Sequence, residues 1–433
     1  MRYKRSIYNI IENEGGKSFV WNTLSGAVAV LDDNLLAYIS SEDADINYSE
    51  ELERLLENHF IVPEAFDEYG FVLKRADRIM EKTDSENMFL VIAPTLNCNY
   101  HCQYCFENQR TSSANMSPHV MMDTKNFIRK KVDRNCNLKC LQVTWFGGEP
   151  LLCLAEIEEM ELFFANLCEK RNIEYRSSLI TNGRFLNQHA IDVLLRTHIR
   201  KLQISFDGTE TIYCQSKQAS VEDYRITLSN VKMAAQRGLP ILIRINIRNN
   251  DFSPAYQLSD LLLEEMGLSK MIKIYPAFAN EGPAEKRAEL YRKFVDLEHS
   301  FAQYIFDHYS ADSYFNKLAF AHGIPCSLSC NGNVCIGPSG ELYKCEHHFG
   351  QMEYVIGNIS QSMAESFENK YYQITKQSLH KESFQCCPVF PIRMGGCPNS
   401  AILGEHNFDC KSFISYLTRR QLRNIASHER KTL

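Results

Sequence analysis

From residue 87 onward, short apolar runs alternate with longer segments in which apolar residues recur every three or four positions, the signature of βα repeats. Six strands are predicted: Met88 to Thr95, Leu141 to Phe146, Ser177 to Thr181, Lys201 to Phe206, Ile241 to Ile247 and Met271 to Tyr275, each bounded by polar residues or Gly/Pro. Helices fit between them. Tyr224, Leu228, Val231 and Ala235 recur at helical steps, and Gly238 and Pro240 stop that helix before the fifth strand. The pattern predicts an α/β fold, arranged as a partial (β/α)6 TIM-like barrel.

Residues 1–85 read as a small N-terminal α+β domain: an apolar run from Ala27 to Leu31, the turn pair Asp32-Asp33, a helical stretch from Glu50 to His59, and the closing run Phe60-Ile61-Val62-Pro63. Residues 86–320 hold the barrel and a bridging helix, Glu285 to about Tyr309. Residues 321–433 form a loop-rich C-terminal domain that carries half of the chain's 16 cysteines, from Cys326 to Cys410.

The chain has 433 residues, 47 basic against 53 acidic, for a net charge of -6. No cationic excess is present to hold a nucleic-acid backbone or an anionic membrane surface, so neither is expected as a partner. The first residues lack a signal-peptide pattern, and no apolar stretch reaches the length of a membrane span, so a cytoplasmic location is expected. In that reducing compartment, so many cysteines point to metal or redox chemistry rather than disulfides.

Directly after the first strand comes Cys98-Asn99-Tyr100-His101-Cys102-Gln103-Tyr104-Cys105. Three thiolates on one short loop can hold three irons of a [4Fe-4S] cluster and leave the fourth iron open. The spacing also admits a zinc site with a distant fourth ligand, or three unrelated core cysteines. With an aromatic residue before its third cysteine, the octet resembles the signature of radical S-adenosylmethionine (SAM) enzymes. The resemblance implies that SAM chelates the open iron, that its reductive cleavage gives a 5′-deoxyadenosyl radical, and that Tyr104 lies near the adenine.

Further motifs stand at the C-terminal ends of predicted strands, where barrel enzymes build their sites. Gly147-Gly148-Glu149-Pro150 follows the second strand and is similar to the superfamily's GGEP segment, which contacts the SAM amino group. Thr181-Asn182-Gly183 and Ser205-Phe206-Asp207-Gly208 follow the third and fourth. Their hydroxyl, amide and carboxylate groups can bind the ribose and the methionyl carboxylate, or form ordinary turns. Arg244 and Asn246 on the fifth strand are further candidates for SAM contacts, with Arg244 alternatively paired to a wall carboxylate. Tyr213-Cys214-Gln215-Ser216-Lys217 departs from relatives, which often carry a His and an Arg there, so no contact is carried over to it.

Near the C-terminus, Cys330, Gly340 and Cys345 form a C-x9-G-x4-C unit in which Gly337-Pro338-Ser339-Gly340 reads as a tight turn. The spacing resembles the opening of a SPASM domain, the auxiliary-cluster extension of many radical SAM enzymes. By that resemblance Cys326, Cys330, Cys345 and Cys397, the last after Gly395-Gly396, bind one auxiliary cluster. For a second cluster only Cys387 and Cys410 match, with Cys386 as a substitute, because Phe384 and Arg393 stand where ligands belong. Four thiolates also suit zinc. The resemblance implies Glu346 as a catalytic base; the competing reading is a loop carboxylate beside His347 and His348. Cys136, Cys140, Cys153, Cys168 and Cys214 are read as small apolar residues.

The segment from Tyr8 to Pro63, notably Trp21-Asn22-Thr23-Leu24-Ser25-Gly26-Ala27, resembles the leader region of radical SAM/SPASM peptide maturases, in which a sheet edge pairs with an extended leader; a stabilising cap is the alternative. Together these resemblances imply an enzyme that removes hydrogen from a ribosomally made peptide to install a crosslink, most simply a cysteine thioether, with electrons from a donor such as flavodoxin or ferredoxin. A sulfatase-maturing enzyme forming formylglycine is the first alternative, and a zinc-binding adaptor the second.

Overall fold

The computed structural model describes residues 2–14, 17–32, 36, 39, 50–109, 114–268, 270–279, 284–309, 326, 330–360, 379–380 and 382–399. They group into two compact units, one drawn from 1–81, 316–329 and 370–433, the other from 82–315 and 330–369.

In the first unit, β1 (Tyr3–Arg5), β2 (Asn9–Glu14), β3 (Lys17–Asn22) and β4 (Val28–Leu31) are followed by α1 (Glu50–Glu57), β5 (Ile61–Pro63) and α2 (Glu68–Glu86). β1 pairs antiparallel with β5, and β2, β3 and β4 form a meander in which β2 and β4 are the edges. Val20, Leu31, Leu52, Leu55, Phe60 and Ile61 close one small core. Val72, Ala76 and Met80 recur at steps of four on α2, and that buried stripe packs on Tyr8, Leu24, Leu379, Phe390 and Met394. The Thr23 hydroxyl donates to the Pro388 carbonyl, and Tyr69 to that of Leu379. Asn22, fully buried, ends β3 as a polar hub: its amide donates to Ser6, Asn9 and the His59 carbonyl and accepts from the Leu24 and Ser25 backbones.

The second unit contains β6 (Asn87–Ile92), α3 (Pro118–Arg134), β7 (Cys140–Trp145), α4 (Leu154–Lys170), β8 (Glu174–Thr181), α5 (Gln188–Arg196), β9 (Ile199–Ser205), α6 (Glu210–Lys217), α7 (Val221–Gln236), β10 (Ile241–Ile247), α8 (Ser253–Ser259), β11 (Ile272–Phe278) and α9 (Ala284–Tyr309). All six expected strands are present, each parallel to its sequence neighbour, in the order β6 to β11. The last runs three residues beyond the expected Tyr275, through Pro276. β11 lies at the sheet edge, where a residue without an N–H is tolerated. On the other side of β6 the sheet continues with β12 (Val334–Ile336), parallel to it, and then antiparallel β13 (Glu341–Tyr343) and β14 (Gly357–Asn358). The expected tight turn joins β12 to β13, closed by the Gly340 N–H donating to the Gly337 carbonyl at 3.0 Å.

These packing units differ from three consecutive segments divided at 85 and 320. β12 takes the open hydrogen-bonding edge of β6, while Leu379, Phe390 and Met394 cover α2. Among the described residues no helix is long and apolar enough to cross a membrane.

Candidate functional site

The C-terminal ends of the parallel strands surround a cavity of about 850 Å³. Cys98, Cys102, Tyr104 and Cys105 line it from the loop after β6, Gly147 and Gly148 from the end of β7, Thr181 and Asn182 from β8, Ser205 from β9, and Arg244 and Asn246 from β10. Glu346 and His347, in the single 3₁₀ turn after Cys345, line it as well. The hairpin β12–β13 therefore delivers the Cys345 turn to the same cavity as the first cysteine loop.

Close backbone approach explains the Gly-Gly pair. A Cβ on Gly147, at φ +111°, would stand 2.3 Å from the Thr95 carbonyl oxygen, and one on Gly148 2.2 Å from that of Asn97. Both contacts are with the chain leading into the cysteine loop, so the glycines seat that loop on the end of β7. Glu149 and Asp207, expected as ligand contacts, stand behind the lining. Glu149, wholly buried, accepts from the Thr181 hydroxyl at 2.7 Å, the Asn182 N–H at 2.8 Å and the Leu151 N–H at 3.0 Å, which ties β7 to β8. Burial raises its pKa, against the pull of those three donors.

Asp207 accepts from the Asn246 N–H at 3.2 Å and its amide at 2.9 Å, from Ser216 at 3.0 Å and from the Tyr104 hydroxyl. Lys217 donates to the Tyr104 hydroxyl at 3.2 Å. The segment from which no contact was carried over thus supplies two groups to the site. Burial alone would raise the Asp207 pKa and lower that of Lys217; Lys217 and the donors hold the carboxyl below its usual value, and Asp207 with Tyr104 lifts the ammonium well above its own. Both are charged at neutral pH. Tyr104, which lines the cavity, is therefore anchored at its hydroxyl.

Behind Tyr100 a hydroxyl chain runs to Tyr213 at 3.2 Å and on to Thr227 at 3.0 Å. Asn230, also on α7, donates to the Gly183 and Arg184 carbonyls. These two polar residues on the buried face of α7 were not anticipated, because an apolar count passes over them. Arg244 pairs with no wall carboxylate among the described contacts: it donates to Asn246 at 3.1 Å and lies over the Tyr275 ring. Burial lowers the His347 pKa, Glu346 opposing and Arg244 adding to the shift.

Among the described residues, no three His, Cys, Asp or Glu side chains converge on one point as a mononuclear ion requires. A cluster whose thiolates each bind a different iron makes no such demand. Three thiols on one loop beside a cavity roomy enough for a further ligand fit a [4Fe-4S] cluster with an open iron. Burial pushes the Cys98 thiol up to about 12, the Tyr100 N–H acting the other way. Of the other expected ligands, Cys326, Cys387 and Cys397 belong to the first unit and Cys330 and Cys345 to the second, while Cys410 lies outside the described residues.

Residues 92–251 match the radical SAM superfamily. A serine-type anaerobic sulfatase-maturating enzyme of Klebsiella aerogenes is 23% identical over 351 residues, covering 74% of this chain and 82% of that protein. Among solved structures, the fold is similar to native anSMEcpe with bound AdoMet and Cp18Cys peptide (TM-score 0.60, 18% identity, 79% of this chain and 99% of that one). It is also similar to Streptococcus suis SuiB bound to its precursor peptide SuiA (TM-score 0.54, 15% identity, 92% and 96%).

Proposed function

We propose, from the premise that this chain carries a radical SAM domain and is an enzyme of that superfamily, that it modifies a ribosomally made peptide by installing a crosslink, a cysteine thioether. Relatives that act on peptides or proteins support the substrate class. The observation that carries the reading is the single cavity shared by the first cysteine loop and the Glu346 turn. A [4Fe-4S] cluster and SAM supply, when bound, a 5′-deoxyadenosyl radical.

Cys98, Cys102 and Cys105 hold that cluster. Gly147, Gly148, Thr181, Asn182, Ser205, Arg244 and the Tyr104 ring surround SAM, and Glu149 and Asp207 brace those contacts from behind. Cys330 and Cys345, which flank the β12–β13 hairpin, supply thiolates to an auxiliary iron–sulfur site, and the sheet curves as a partial barrel with a SPASM extension. A C–S bond removes from the peptide one hydrogen atom at carbon, one thiol proton and one electron. Glu346 accepts the proton, and an iron–sulfur group held by the auxiliary cysteines would supply the acceptor for the electron. A flavodoxin- or ferredoxin-type donor supplies the reducing electron, and the β4 edge of the β2–β3–β4 sheet receives an extended leader.

The sulfatase-maturating relative favours a second reading, oxidation of a Cys or Ser side chain to formylglycine. Peptides carrying Cys or Ser, incubated with enzyme, SAM and reductant, separate the two. The crosslink loses two hydrogens, protects the thiol from alkylation and gives no hydrazide adduct. An aldehyde trapped by hydrazide contradicts it in favour of formylglycine. Glu346→Gln keeps deoxyadenosine formation and lowers product roughly 10²-fold or more; unchanged product removes Glu346 from its role.

A further inference from the structure

The residue after the third loop cysteine and the second residue after Cys345 meet face to face: the Phe106 and His347 rings stack with centroids 4.0 Å apart and planes at 19°. Phe106 also stacks on Phe146 at 6.2 Å and 8°, and Phe146 on Phe349 at 6.4 Å and 26°. Phe349 in turn meets Tyr343 of β13 edge-on at 5.5 Å. The rings on both sides of the Glu346 turn therefore join one ladder rooted in the cysteine loop and the end of β7. Within the turn the His348 N–H donates to Cys345 at 3.1 Å and the Phe349 N–H to Glu346 at 3.3 Å, Gln351 donates to the His347 carbonyl at 2.9 Å, and the buried His348 ring stacks on Tyr354 with centroids 3.8 Å apart. Those contacts tie the turn to its own hairpin segment, whereas the His347 ring carries it onto the cysteine loop.

We propose that His347 is a positioning residue: its stack on Phe106 is the joint that holds Glu346 at the cavity and couples the order of the Glu346 turn to that of the cysteine loop. The role of Glu346 rests on the function proposed above; the joint itself does not. Offset and stacked aromatic pairs hold geometry beyond what their buried area supplies, and small displacements at a reacting centre cost rate steeply. A flat ring at position 347 is therefore the requirement, and Phe can meet it.

Amide hydrogen exchange on the full chain tests the joint without any substrate. His347→Ala should speed exchange severalfold at residues 103–107, and Phe106→Leu should do the same at residues 345–349, while His347→Phe restores wild-type protection. Iron content of anaerobically purified His347→Phe should equal that of wild type. With a modified peptide in hand, His347→Ala should lower product per deoxyadenosine roughly tenfold or more and His347→Phe should recover it. Unchanged exchange at 103–107 in His347→Ala, or no rescue by Phe, overturns the joint. Wild-type protein that makes no deoxyadenosine overturns the proposed function instead, and the exchange result still decides the joint.

Discussion

The Lys217 ammonium stands 3.4 Å from the Asp207 carboxylate, and neither side chain exposes more than 1% of its surface. The two partners are unequally supported. Asp207 also accepts from Asn246, Ser216 and Tyr104, whereas the other hydrogen-bond partner described for Lys217 is the Tyr104 hydroxyl. Asp207→Asn strands a buried cation and should cost about 3–5 kcal/mol. Lys217→Met leaves a carboxylate with its donors intact and should cost less, about 1–3 kcal/mol. Urea denaturation of both variants and the double variant checks this, and the double should cost less than the two singles together. Equal costs for the two singles would contradict the asymmetry.

The same pair sets an acid dependence. A carboxyl whose pKa is depressed by folding stabilises above its unfolded value, near ~4, and loses that contribution as pH falls through the folded value. Asp207 is such a group. The stability difference between wild type and Asp207→Asn should be full at about pH 6 and shrink steadily below about pH 4. A difference constant to about pH 3 would show that Asp207 is not held ionised by its surroundings.

At Gly148 an added methyl meets backbone rather than a movable side chain, 2.2 Å from the Asn97 oxygen. Gly148→Ala should displace the cysteine loop, lowering the iron retained after anaerobic purification and costing stability on the order of 1–3 kcal/mol. Gly332→Ala is the control, because its Cβ would find its nearest atom at 3.8 Å. Iron content alike in the two variants would separate the glycine from the loop.

Val30, on the β4 edge, exposes 44% of its surface. If this edge receives a leader strand, Val30→Pro removes a backbone donor and should weaken leader binding about tenfold or more, measured by fluorescence anisotropy, with the circular dichroism spectrum retained. Unaltered affinity would move the leader elsewhere. This substitution spares Tyr8, Leu24 and α2, whose core includes Leu379, Phe390 and Met394, which a whole-segment deletion would expose.

The six strands of the parallel sheet were legible because each is an apolar run between helical periods, and their ends carried Gly147-Gly148, Thr181-Asn182 and Ser205 into one cavity. Pro276 hid the end of β11, since only the pairing shows that this strand is an edge. Lys217 was not legible for a different reason: nothing in sequence marks a lysine that will be buried, and its meaning comes from Asp207 and Tyr104. The Phe106–His347 stack joins residues 241 positions apart, a pairing no local pattern encodes. The division of the C-terminal cysteines between two packing units is likewise a matter of which exposed edge or apolar stripe each segment covers.

The central claim is that the loop after β6 holds a cluster that cleaves SAM. Protein purified without oxygen should contain about eight irons per chain if one auxiliary [4Fe-4S] cluster accompanies the first, and should release 5′-deoxyadenosine with SAM and reductant. Cys98→Ala/Cys102→Ala/Cys105→Ala should lose about four irons and all deoxyadenosine. Zinc in place of iron in the reconstituted wild type, with no deoxyadenosine formed, would contradict the account.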